Sequence, residues 1–141
     1  MTISQQTIEI VKSTAPLLKE KGEDVTTRMY PILFSKYPET EVLFKNANNQ
    51  PAKLATAIAA YAANIDQLEN LGDAVERMAQ RHVNVKVKPK HYPMVADALL
   101  TAMTEVLGAD VVTAEVSSAW GEAFNFLADI LKTREKELYA A

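Results

Sequence analysis

The chain has 141 residues, 48% hydrophobic and 23% charged, a size and mixture suited to one globular domain that buries about two-thirds of its unfolded surface. A formal charge of −3 gives no electrostatic reason to expect nucleic acid, and the absence of Cys excludes disulfides, thiolate nucleophiles, thiolate-bound zinc and iron–sulfur clusters. With 4 Gly, 6 Pro and only short β-branched runs, helix is favoured over sandwich or barrel. No stretch approaches the ~20 apolar residues of a membrane span, and the N-terminus lacks a basic segment followed by a long apolar run. A cytoplasmic location is therefore expected, and residues 1–141 are read as one domain without repeats or linkers.

Ser4 is a candidate N-cap, followed by Ile8, Val11, Ala15 and Leu18 at helical spacing. Lys21-Gly22 is expected to stop this helix. A second helix carries Val25, Met29 and Leu33, with Tyr30 close to the same side. Pro38 opens a short turn of helix ending near Phe44, and the polar stretch 45–49 reads as a loop. Gln50-Pro51 suits a helix start, because Pro in the first turn lacks an N–H that would be unpaired anyway. Leu54, Ile58, Tyr61, Ile65 and Leu68 then form a stripe broken at Leu71-Gly72-Asp73. Val75, Met78 and His82 share one face of the next helix. Residues 83–90 read as a connection. Tyr92, Val95, Leu99, Met103 and Val106 mark a helix ended by Gly108, and Val116, Trp120, Ala123, Leu127 and Ile130 mark the last. Six substantial helices and one short one are expected, with no strand.

The chemistry narrows to two histidines, His82 and His91. A lone His is more often a hydrogen-bonded core or surface group than a ligand. Zinc would need several protein ligands, and no HExxH or His/carboxylate cluster occurs. Haem needs only one, because the porphyrin supplies four of the iron's ligands and the face opposite the imidazole stays open for a gas. His82, on an apolar helix face, suits that role. His91, in a helix-opening segment, reads as a surface or cap residue. No GxGxxG, Walker or GxSxG motif is present. The run Arg134-Glu135-Lys136-Glu137, taken by itself, reads as a solvated helix face.

The segments QQTIEIVKSTAPLLKEKGEDVTTRMYPILFSKYPE, LF, QPAKLA, NIDQLENL, RHVNVKVKPKHYPMV, LLTAMTEVLG and AWGEAF…ELYA follow one another in an order that resembles bacterial single-domain globins. These are the Vitreoscilla haemoglobin type, and the same pattern forms the haem domain of flavohaemoglobins. The resemblance covers essentially the whole chain. It implies an all-α globin fold, a 3-over-3 helical sandwich with a short or absent D helix, enclosing one haem b. It makes His82 the proximal iron ligand, Phe44 the wedge against the porphyrin and Leu54 the apolar residue over the iron. Tyr30 and Gln50 become the distal polar groups, and Tyr92 and Glu135 bracket His82 from behind. Three departures stand out: a loop between Phe44 and Gln50 about four residues short, QPAKLA in place of QPKALA, and no Gly in Val83–Val87.

What the resemblance implies for activity is reversible O₂ binding at ferrous iron and reaction with nitric oxide (NO) to give nitrate. CO and cyanide would be further ligands. A separate reductase must return the electron, since the chain shows no flavin or nicotinamide motif. Oxygen carriage or scavenging for respiration uses the same pocket and stays open, as does a haem-free sensor or interaction module. Relatives of this type can pair as homodimers through their last helices, although no self-complementary stripe appears here.

Overall fold

The computed structural model describes residues 3–44 and 50–140, and among these every regular element is helical. Helix α1 spans Gln5–Lys36, followed by a 3₁₀ segment over Pro38–Phe44. Helix α2 spans Gln50–Ala63, and a 3₁₀ turn at Leu68–Leu71 leads into α3, Gly72–Asn84. Helices α4, His91–Leu107, and α5, Ala114–Ala140, complete the chain. The loop expected at 45–49 lies outside the described residues.

Helix α1 starts where expected: the Ser4 side chain accepts a hydrogen bond from the Thr7 N–H at 3.2 Å, satisfying one of the helix's orphan donors. The expected stop at Lys21-Gly22 is overturned, since α1 runs unbroken through both residues and through Pro16 and Pro31. Gly22 is buried where α2 crosses, and a Cβ built there would lie 3.4 Å from Ala55 Cβ. The glycine permits a close helix–helix approach instead of ending the helix. Its intrinsic cost in a helix is about 1 kcal/mol, which packing of this kind readily offsets. The buried Thr26 hydroxyl strengthens the crossing by donating to the Pro51 carbonyl at 2.6 Å.

The stripe from Leu54 to Leu68 is shared by two elements instead of one helix. α2 ends at Ala63, where the Ala60 carbonyl accepts from both the Asn64 N–H at 3.1 Å and the Asn64 side chain at 2.9 Å. Ile65 still reaches the core from the turn that follows. Among the described residues, five long helices and two 3₁₀ segments thus replace the expected six and one, because the first two expected helices are one.

Trp120, fully buried, donates its indole N–H to Thr14 Oγ1 at 2.9 Å, and Tyr61 donates its hydroxyl to the Ala123 carbonyl at 2.7 Å. These bonds tie α5 to α1 and α2 through the centre of the apolar cluster. Helix α2 packs on α1, and α3 packs on α5. Between α2 and α3 a cavity of about 50 Å³ separates Ala57 and Ala60 from Ala74, Val75 and Met78. No helix among the described residues is long and apolar enough to cross a membrane.

Candidate functional site

His82 lies in the last turn of α3, and the end of that helix fixes its backbone. The Val87 N–H donates to the His82 carbonyl at 2.9 Å and the Lys86 N–H to Val83 at 3.1 Å. This paired closure is a Schellman motif, which needs one residue in the left-handed region. Lys86 fills that place with φ 67°. It stands in the stretch where the sequence lacks a glycine, so this helix end is made at the cost of strain, about 1–2 kcal/mol for a residue carrying a Cβ.

The His82 ring is held equally firmly. Its Nδ1 lies 2.8 Å from Glu135 Oε2 and 3.0 Å from the Tyr92 hydroxyl. Tyr92 donates to the Glu135 carboxylate at 2.6 Å. Burial, then the hydrogen bond to Glu135, push the Tyr92 phenol well above its ordinary range, so it remains a proton donor. An ionised carboxylate only accepts, so a neutral His82 must carry its proton on Nδ1 to satisfy Glu135. Nε2 is left with the lone pair, and it makes no hydrogen bond among the described residues.

Glu135 overturns the reading of its charge run as a solvated face. The residue is 4% exposed, whereas Lys136 and Glu137 face solvent. Arg134, partly exposed, reaches across to α3, where its Nε and Nη2 meet the two Glu76 carboxylate oxygens at 2.6 and 3.0 Å. The Arg134 guanidinium, helped by Gln80, holds the Glu76 carboxyl below its usual range. This fork clamps α5 to α3 close to the His82–Glu135 bond. Sequence reading missed Glu76; a carboxylate on α3 six residues before His82 was the available signal. His91 is buried, which corrects the surface half of its expected role. Its cap half stands: Nδ1 accepts from the Lys88 N–H at 2.9 Å, just before α4.

Across the molecule, Tyr30 of α1 is buried against Phe34 and Phe44, with ring centroids 5.9 and 5.1 Å away. Burial pushes its phenol up to about 12, so its O–H persists at neutral pH, and it has no hydrogen-bond partner among the described residues. Leu54 and Phe44 are half-buried apolar groups packed against the same cluster. Gln50 opens α2 half-exposed, and no hydrogen bond joins it to Tyr30. The structure therefore gathers His82, Tyr92 and Glu135 into one polar network and Tyr30 and Phe44 into one aromatic one.

Residues 27–131 match the globin family model. The chain belongs to the globin family. The all-α globin fold implied by the sequence resemblance is the observed one. An uncharacterised globin-like protein of Aquifex aeolicus is 52% identical over 139 residues, covering 98% of each chain. A flavohemoprotein of Pseudomonas putida is 46% identical over 134 residues, covering 92% of this globin but 34% of the relative, so this globin spans about a third of that protein's length. Among solved structures, an engineered carbene transferase derived from a candidate nitric oxide dioxygenase of Rhodothermus marinus superposes with a TM-score of 0.94 at 40% identity, over 99% of this globin and 97% of that chain. These relatives imply a haem cofactor. The donor set fits one: a single imidazole with Nε2 free, and apolar Phe44 and Leu54 not fully enclosed by protein.

Proposed function

We propose that this globin holds haem b through His82 Nε2, binds O₂ reversibly and, supplied with electrons by a separate reductase, oxidises nitric oxide to nitrate. The carrying observation is that His82 Nδ1 bonds a buried carboxylate, Glu135, at 2.8 Å. When bound, haem would supply ferrous iron as the O₂ site, and one NO, one O₂ and one electron balance to nitrate. Glu135 draws the Nδ1 proton and leaves Nε2 more electron-rich, which favours oxygen activation over storage. Tyr92 steadies the carboxylate by donating to it. On the opposite side Tyr30 offers a neutral O–H donor, worth about 1 kcal/mol in a net hydrogen bond and up to about twice that toward a charged acceptor. Leu54 and Phe44 exclude water. Val95 and Leu99, on the same helix as Tyr92, belong to the apolar core.

The test compares His82→Ala and His91→Ala after reconstitution with haem. His91→Ala should keep the Soret band and His82→Ala should lose stable haem. Equal haem content in the two variants would overturn the ligand assignment. With haem in place, repeated cycles of nitrate formation should require NADH and an added reductase. A single stoichiometric turnover under those conditions would point to oxygen carriage instead.

A further inference from the structure

The charge of this chain is unevenly distributed. Residues 77–96 contain Arg77, Arg81, Lys86, Lys88 and Lys90 and no Asp or Glu, whereas the other residues carry ten basic and eighteen acidic groups. The fold adds Lys132 and Lys136 of α5 to this basic segment, around an open recess of about 340 Å³. Val87, Pro89 and Tyr139 give the recess apolar walls, and Glu135 itself forms part of its lining. The recess therefore reaches the carboxylate that bonds His82.

The surroundings of the recess are built, not incidental. Lys88 Nζ sits 5.5 Å over the Tyr139 ring and Lys132 Nζ 5.7 Å over the Tyr92 ring. Tyr139 donates its hydroxyl to the Val87 carbonyl at 2.8 Å, fastening the end of α5 to the connection after α3. Lys90 is paired with Glu39 at 2.9 Å, and Lys132 lies 4.0 Å from Asp129. Lys86, Lys88 and Lys136 form no ion pair among the described residues. Two of the most exposed large apolar side chains, Val85 and Tyr139, lie in the same region, at 46% and 44% exposure.

Apolar contact area ringed by like charge, most of it unpaired, is the layout of a short-lived, electrostatically steered interface. We propose that the face formed by Lys88, Lys132 and Lys136 around this recess, with Lys86 next in the chain to its Val87 wall, docks an acidic electron-donor protein, which delivers single electrons to the His82 side of the site. The donor loses one electron and the iron gains one. Charge complementarity selects the partner: the remainder of this globin is acidic and would repel it, so approach is productive only over this face. The inference rests on the proposed need for an external reductase and deepens it by giving that partner a surface and a charge.

The experiment uses reduced flavodoxin as probe, an acidic protein with an exposed flavin edge, against the haem-loaded globin. Binding is followed by titration calorimetry and electron transfer by stopped-flow absorbance. Lys86→Glu/Lys88→Glu/Lys136→Glu should weaken binding at least about tenfold, equivalent to ~1.4 kcal/mol. Lys19→Glu/Lys21→Glu/Lys53→Glu changes net charge by the same amount elsewhere and should leave binding within about twofold, because exposed charges more than a screening length apart interact weakly. Wild-type binding should weaken as ionic strength rises from about 0.01 M to about 0.15 M, shortening the screening length from roughly 30 to 8 Å. The milder Lys88→Gln/Lys136→Gln pair should show a smaller loss in the same direction. No binding at low salt, equal loss in both triple variants, or sedimentation showing that these lysines hold two copies of the globin together would each overturn the proposal. A missing Soret band would instead sink the haem reading, and it is recorded separately on every sample.

Discussion

Helices α2 and α3 face each other across the site, yet they are held in place by different forces. α2 buries Ile58, Tyr61 and Ala62 and lies close on α1 at the Gly22–Ala55 crossing. α3 fully buries only Ala79. Its position depends on polar ties to α5: the Arg134–Glu76 fork and the His82–Glu135 bond. On the α2 side Thr26 and Tyr61 spend their hydroxyls on the Pro51 and Ala123 carbonyls, whereas Tyr30 has no hydrogen-bond partner among the described residues and keeps a donor to offer. Polar anchoring of α3 does the reverse, committing His82 Nδ1 and leaving only Nε2 for a ligand. One wall is fixed so that it can offer a hydrogen bond, the other so that it can offer a lone pair.

Breaking the apolar wall should have the largest effect. Gly22→Leu pushes branched carbons into the Ala55 backbone, and overpacking of this kind costs about 1–3 kcal/mol in thermal or denaturant unfolding. Gly22→Ala should instead be neutral or stabilising, because its Cβ meets Ala55 at an ordinary contact distance of 3.4 Å. If the two variants unfold alike, the close crossing is not what restrains α2.

Breaking the polar wall should cost less stability but change the site more. Glu135→Gln keeps the shape and replaces a charge-assisted bond with a neutral one, a loss of about 1 kcal/mol. In the haem-loaded protein the iron–histidine stretching frequency should fall. An unchanged frequency would show that the carboxylate does not act on the imidazole. The smallest effect is expected at the closure of α3. Lys86→Gly removes the strain of a positive φ, partly offset by the entropy glycine loses on folding, for a net gain below about 1 kcal/mol. A lower melting temperature in this variant would refute the strained closure.

The sequence-derived expectations succeeded and failed along this same division. The helical class and the order of elements were readable because period and spacing are local properties. Gly22 misled because a glycine that ends a helix and one that admits a neighbouring helix look the same until the neighbour is known. Glu135, read from its own charge run alone, is ambiguous in a similar way. Within Arg134–Glu137 nothing local separates a buried carboxylate from a solvated one, and its partner His82 lies 53 residues earlier. Only the resemblance to globins pointed to it. His91 showed its capping role in the sequence, but its burial required the packing of the folded chain. Local patterning therefore settled that the segments of this globin are helical, but not every boundary between them. The tertiary structure decided which charges leave water, because desolvation depends on neighbours that the chain brings together only when folded.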